Sequence, residues 1–173
     1  EEIPENRENI SLTFRDLRIE DCGRMLEIRN KVVVEDGAPF GNRKELKEED
    51  FLPKFEKSLE MASRGEVIDV AAELDGNLVG WIAGHNVPNT EVPTACADVL
   101  MMDKKVRSLK KFRELTQKWV DRVRLEWGSR KLITATQVDN VRVRNLYKRY
   151  GLKETRFFKK DGIEYVEMEK DLK

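Results

Sequence analysis

The sequence predicts a mixed α/β (α+β) domain: a mostly antiparallel central sheet of about six to seven strands, flanked by about four helices. Three observations predict it. Asp75-Gly76-Asn77 stands between two apolar runs, Val67 to Leu74 and Leu78 to His85, and Asp-Gly in that setting is a hairpin signal. The run Thr94 to Met102 passes through a basic turn into a long amphipathic helix and out to a second apolar run, Leu132 to Thr136. That is a strand–helix–strand crossover, the connection that joins parallel neighbours. Two helical patterns also follow the first strand in succession, so strands and helices do not alternate as in a wholly parallel sheet.

Each element has a local reason. Residues 1–10 are polar and charged and read as a flexible tail, leaving 11–173 as one domain. Leu12 to Ile19 alternates apolar and polar, as a half-buried strand does. Asp21 offers an N-cap to a helix whose stripe is Cys22, Met25, Ile28 and Val32. Val33 to Asn42, with two Gly and one Pro, reads as a loop. Asp50 is the candidate cap of a second helix, with Pro53 in its first turn, inner face Phe51, Phe55, Leu59 and Ala62, and Gly65 as terminator. The long helix carries Leu109, Phe112, Leu115, Trp119 and Val123 at steps of three and four and closes at Gly128. Asp139 or Asn140 caps a short helix bearing Val143, Leu146 and Tyr147, which Gly151 ends. Lys153 to Lys159 and Ile163 to Glu169 form a last hairpin about Lys160-Asp161-Gly162.

Composition bounds the function. The 173 residues suffice for one core, and 38% are charged. Lys plus Arg equal Asp plus Glu, giving a formal net charge of zero, which argues against a general nucleic-acid binder while allowing a local basic patch. Two cysteines make no disulfide framework, so a reducing, cytoplasmic compartment is expected. With a single His, no structural zinc and no metal cofactor is expected. No apolar run approaches the roughly 20 residues of a membrane span. No signal peptide is visible, and since the sequence opens on Glu1, what precedes it is left open.

The stretch from Ala97 to Gly151 organises the chain. Strand end, turn and helix N-terminus bring Lys104, Lys105, Arg107, Ser108, Lys110 and Lys111 together, where backbone N–H groups and the helix dipole favour an anion. Leu100-Met101-Met102-Asp103 followed by Arg107-Ser108-Leu109-Lys110-Lys111-Phe112, and later Asn140, Val143, Leu146, Tyr147, Tyr150, Gly151 and Leu152, resemble two motifs of the GNAT superfamily of acyl-CoA-dependent N-acetyltransferases. Arg107 fits the family's Arg-x-x-Gly-x-Gly/Ala turn, but Lys110 and Phe112 replace both glycines. Glycine lets backbone approach a pyrophosphate closely, so the chain reads as a divergent member. The bland alternatives are that the lysines are a solvated helix face, that Asn140 is only a cap and that Tyr147 only packs.

The resemblance implies an acyl group, acetyl in the first instance, passed directly from acetyl-CoA or another acyl-CoA to an amine. It implies cofactor contacts from Met101 and Met102, from the turn Val106, Arg107, Ser108, Leu109, Lys110, Lys111, Phe112 and Arg113, and from Asn140 and Tyr147. A backbone N–H near Met102 would polarise the carbonyl, and Tyr147 would act as general acid on the departing thiolate. The candidate base is Asp98, on the same strand face as Leu100 and Met102. His85 is the alternative, since an imidazole suits proton transfer near neutral pH. Arg142, Arg144, Lys148 and Arg149, with Arg107 and Lys110, form a basic surface for the cofactor's phosphates or for a nucleic-acid acceptor. The resemblance implies an acceptor pocket built by the two early helices and their loop, about Val33 to Asn42, and by the last hairpin, with Glu35, Asp36, Phe40, Asn42 and Arg43 available. The acceptor itself, a small-molecule, protein or nucleic-acid amine, is not written in the sequence, nor is the oligomeric state, for which a homodimer is allowed. The competing class is a scaffold of the same fold that has lost its cofactor, for which the missing glycines speak.

Overall fold

The structure is a computed structural model, and it describes residues 11–36 and 45–173. The tail 1–10 and the loop candidates Phe40, Asn42 and Arg43 lie outside the described residues. The elements are β1 (Thr13–Arg15), α1 (Cys22–Asp36), α2 (Glu48–Ser63), β2 (Val67–Leu74), β3 (Asn77–Val87), β4 (Thr94–Met102), α3 (Leu109–Trp127), β5 (Lys131–Gln137), α4 (Val141–Tyr150), β6 (Lys153–Lys160) and β7 (Ile163–Asp171). They build one seven-stranded sheet in the order β1-β2-β3-β4-β5-β7-β6. Every neighbouring pair is antiparallel except β4 and β5, which the α3 crossover makes parallel.

The two tight turns follow from their residues. Asp75 and Gly76 both take positive φ, as do Asp161 and Gly162, the signature of the two-residue turn whose twist matches a hairpin. Helices cover both faces of the sheet, which is why β2 and β3 read as nearly unbroken apolar runs. On one face α3 sets Leu115, Trp119 and Val123, all fully buried, against Ile68, Val70 and Ile82. On the other, α1 and α2 pack Met25, Ile28 and Phe55 against Ala71, Leu78 and Trp81. Trp119 passes over Gly84, where a Cβ would meet the Cys96 carbonyl and stand 2.6 Å from the indole ring. Its Nε1–H donates to the Ile68 carbonyl at 2.8 Å, so the largest core side chain is fully satisfied.

Four expectations are corrected. The first strand stops at Arg15, because the Leu17 N–H donates to the buried Asp69 carboxylate at 2.8 Å instead of to a ladder. Asp21 does not cap α1; it closes a 3-10 turn, accepts from the Arg18 N–H at 2.8 Å and pairs with Arg15 at 2.7 Å. α2 begins at Glu48, two residues before the expected cap Asp50, which puts Pro53 in its second turn. α1 runs on to Asp36, so Val33 to Asp36, the first part of the expected loop, are helical.

Candidate active site

The sheet opens at one seam. β4 and β5 pair only from Thr94–Lys131 to Cys96–Ile133, and beyond that point they part. Thr134 Oγ1 donates to the Ala97 carbonyl at 3.0 Å, a side-chain link just past the last ladder pair. A β-bulge lies at the same level on the other side of β4. Gly84 pairs with Ala97 and Ala83 with Val99, which leaves Asp98 as the extra residue. A bulge bends and twists its strand. Here it turns β4 away from β5, while each strand stays fully laddered to its outer neighbour.

The gap is a cavity of ≈ 520 Å³, within the range of ligand sites. Its walls are Asp98 to Met102 of β4, Thr134 to Gln137 of β5, Arg107, Ser108, Leu109 and Phe112 at the head of α3, and the Asn140 to Arg149 side of α4. The turn below it is built on Asp103. That carboxylate accepts from the Lys105 N–H at 3.1 Å and from Arg24 of α1 at 2.8 Å, and the Asp103 N–H donates to the Val79 carbonyl at 2.7 Å. Burial works to raise the Asp103 carboxyl, but these donors hold it below its ordinary range. Arg107 Nε donates back to the Met102 carbonyl at 3.2 Å, which keeps its guanidinium at the cleft. Ser108 is the N-cap of α3 and accepts from the Lys111 N–H at 3.1 Å. The positive end of a 19-residue helix therefore opens on the cavity.

Not all of the expected residues meet there. Asp98, Met101, Met102, Arg107, Ser108, Leu109, Phe112, Asn140 and Tyr147 line the cavity. Val106 is buried in the core under the turn. Lys110, Lys111 and Arg113 line a separate groove beside β1. Lys111 is 2% exposed, with Nζ 3.5 Å from Glu114. The replacement of the two glycines is thereby explained in part. Lys110 faces the other groove, and Phe112 packs its ring 6.0 Å from Tyr147 and 5.7 Å from Tyr150, joining α3 to α4. The basic surface of α4 also divides. Arg144 and Lys148 are tied to Glu154 at 2.8 and 3.2 Å, whereas Arg142 and Arg149 border the cavity.

Asn140 precedes α4 and is 6% exposed, but its side chain makes no capping hydrogen bond. It lines the cleft instead, so capping does not account for it. Burial, partly offset by a hydrogen bond with Thr134, pushes the Tyr147 hydroxyl up to about 12, and it stays protonated. Asp98 Oδ2 lies 2.6 Å from His85 Nδ1, so the two base candidates form one pair. Cys96 Sγ donates to Asp98 Oδ1 at 3.5 Å, and burial followed by that carboxylate pushes the thiol up to about 12, out of range of a nucleophilic thiolate. The sequence reading missed Thr134, Gln137 and the Arg24–Asp103 tie. The first two had a signal, since Thr134, Thr136 and Gln137 are polar residues in a short strand, and all three are buried.

The sheet is thus splayed at one parallel seam, with a capped helix and a tyrosine-bearing helix at its mouth. The model of the acetyltransferase (GNAT) family matches residues 32–152, and the chain belongs to that family. Solved structures agree on the fold. A ribosomal-protein-alanine N-acetyltransferase from Brucella melitensis superposes with a TM-score of 0.72 at 20% identity, covering 92% of this chain and 99% of that one. The PaiA N-acetyltransferase of Thermoplasma acidophilum in complex with coenzyme A gives 0.73 at 18% identity, over 94% and 100%. YncA, a putative acetyltransferase from Salmonella typhimurium with acetyl-CoA, gives 0.69 at 17% identity, over 94% of each chain. No curated protein matches the chain in sequence.

Proposed function

We propose that this chain is an N-acetyltransferase that moves an acetyl group directly from acetyl-CoA to an amine. The observation that carries the reading is the β4–β5 seam: past Cys96–Ile133, two strand edges face each other across a ligand-sized cavity without pairing. An extended amide chain fits such an edge by adding hydrogen bonds to it, as an added strand does. The inner edge of β4 at Met101 and Met102 would take the pantetheine amides, Asn140 would hold them from α4, and the head of α3 with Arg107, Arg142 and Arg149 would face the phosphates. Acetyl-CoA supplies an activated thioester carbonyl.

The chain's own groups do the rest. A backbone N–H near Met102 aims at the carbonyl oxygen, where negative charge develops. The Asp98–His85 pair takes the amine proton, Asp98 from the cavity wall and His85 behind it. Tyr147 serves the leaving sulfur. A phenol near 12 hands its proton to an ordinary thiolate only uphill, given a free thiol near 8.5. Its first contribution is therefore a hydrogen bond that lets charge gather on sulfur. The high Cys96 thiol favours direct transfer over an acyl-cysteine route.

Release of free CoA thiol from acetyl-CoA, followed across a panel of small amines, peptide N-termini, lysine peptides and aminoacyl-tRNA, tests the reading. Amine-dependent release that drops in Asp98→Asn and in His85→Gln supports it. Release that no amine stimulates, from protein that does bind acetyl-CoA, would contradict it.

A further inference from the structure

His85 and Cys96 are direct cross-strand partners on β3 and β4, and Asp98 is the bulged residue two places on. Two places along β4, Asp98 keeps the side of Cys96, and the bulge turns Leu100 and Met102 to the opposite face, against α3, so Asp98 does not share their face as the period-two reading expected. One Asp98 carboxylate oxygen lies 2.6 Å from His85 Nδ1 and the other 3.5 Å from Cys96 Sγ. One donor atom from each of the three lies within 4.8 Å of the other two. We propose that His85, Cys96 and Asp98 form a three-ligand site for a divalent cation of the zinc class, and that its occupation stops acyl transfer by withdrawing the Asp98–His85 pair. The second half rests on the function proposed above; the first does not.

The donor set selects the ion. Imidazole nitrogen, thiolate sulfur and carboxylate oxygen suit a borderline cation, which takes them at about 2.0–2.3 Å in a tetrahedron. Donors on such a tetrahedron stand roughly 3.3–3.8 Å apart. The Cys96–Asp98 distance of 3.5 Å already lies in that range, and the His85–Asp98 distance of 2.6 Å must open by roughly 1 Å to reach it. Hard cations such as calcium and magnesium prefer all-oxygen shells and gain little from the imidazole and the thiol. On binding, the Cys96 thiol proton leaves to solvent and the metal–sulfur bond takes its place. Glu167 adds negative charge near Cys96. The His85 and Asp98 side chains are 42% and 49% exposed, which leaves the fourth position to water. A closed structural zinc needs four protein donors. Three with an open side are compatible with the expectation that the fold itself needs none. β3 and β4 are paired on both sides of the bulge, and Gly84 beside it leaves no room for a Cβ against the Cys96 carbonyl and the Trp119 ring.

Cobalt(II) added to the full chain in chelator-free buffer is the probe. The expected result is a thiolate-to-cobalt charge-transfer band in the near ultraviolet, with the visible bands of a tetrahedral ion, both bleached by one equivalent of zinc. Cys96→Ser removes the charge-transfer band, and Cys22→Ser, in the α1 core, leaves it. His85→Gln weakens cobalt binding by at least about tenfold, the lower end of what even an outer-shell partner is worth. No charge-transfer band in the wild type at millimolar cobalt, or a band that survives Cys96→Ser, overturns the site. Should Cys96→Ser not fold, unchanged cobalt affinity in His85→Gln overturns it. Zinc is expected to inhibit transfer in the wild type and to spare Cys96→Ser; full turnover with the site saturated overturns the inhibitory half. A band in protein that transfers nothing supports the site and counts against the proposed function alone.

Discussion

The β3–β4 and β4–β5 neighbours make an instructive contrast, because they share a strand. β3 and β4 stay paired from Gly80–Met102 to Val87–Thr94, accommodating one bulge. β4 and β5 give up after Cys96–Ile133. The difference lies in what stands behind each. The β2–β3–β4 side has Trp119 and the α3 stripe pressed on one face and α1 and α2 on the other, so an unpaired group there would be buried and expensive, about 1–3 kcal/mol each. The seam has only a cavity, so its strand edges stay open. Packing thus holds the strands at a fixed separation, and the open seam is where a ligand gains most by hydrogen bonding.

That contrast can be broken from the packed side first. Trp119→Ala empties the fully buried centre of the laddered half and should cost about 3–5 kcal/mol. Urea denaturation measures it; a loss below 1 kcal/mol would mean the ladders hold themselves. On the open side, Tyr147→Phe should leave fold and acetyl-CoA binding intact and lower kcat about 10–100-fold, the worth of a hydrogen bond to developing charge. Equal kcat would remove Tyr147 from the reaction. Thr134→Val cuts the side-chain link at the apex of the seam and should cost about 1 kcal/mol, with a faster amide exchange at Ala97 and Asp98 than in the wild type. Unchanged exchange would show that the link does not set the splay.

The smallest effect lies far from the seam. Burial alone would raise the Asp21 carboxyl, but Arg15 and the Arg18 N–H bring it below its usual 3.8. A carboxyl depressed on folding stabilises the native state above its unfolded value and loses that contribution as pH falls from about 4 through its folded value. Acid titration of unfolding should therefore be shallower below pH 4 in Asp21→Asn than in the wild type. Parallel curves would show that the pair contributes nothing.

Legibility in the sequence followed the range of the interactions. Asp75-Gly76, Asp161-Gly162, the α3 stripe and the Asn140-to-Gly151 helix are local codes, and each fold element they mark formed where expected. β1 and the start of α1 were misjudged because Leu17 and Asp21 spend their hydrogen bonds on Asp69, Arg15 and Arg18 rather than on ladder or cap. At the site, Asn140 and Tyr147 could be singled out from sequence because an Asn, a helical spacing and a terminating Gly coincide within the twelve residues from Asn140 to Gly151. The Asp98–His85–Cys96 grouping could not, since it depends on the β3–β4 register that sets His85 opposite Cys96, and register leaves no mark in composition. The fate of Lys110 and Phe112 was also hidden: helix rotation, not residue type, decides that one faces another groove and the other joins two tyrosines.

The most direct test of the open seam as an acyl-CoA site is thermal unfolding with and without acetyl-CoA, with adenosine 3′,5′-bisphosphate as control. Ligand at ~100 times its dissociation constant stabilises the folded state by about 2.7 kcal/mol. The account predicts a clear rise in Tm with acetyl-CoA, larger than with the bisphosphate, because only the former has amides to lay along β4. No rise at millimolar acetyl-CoA would contradict it and leave a scaffold that has kept the fold and lost the substrate.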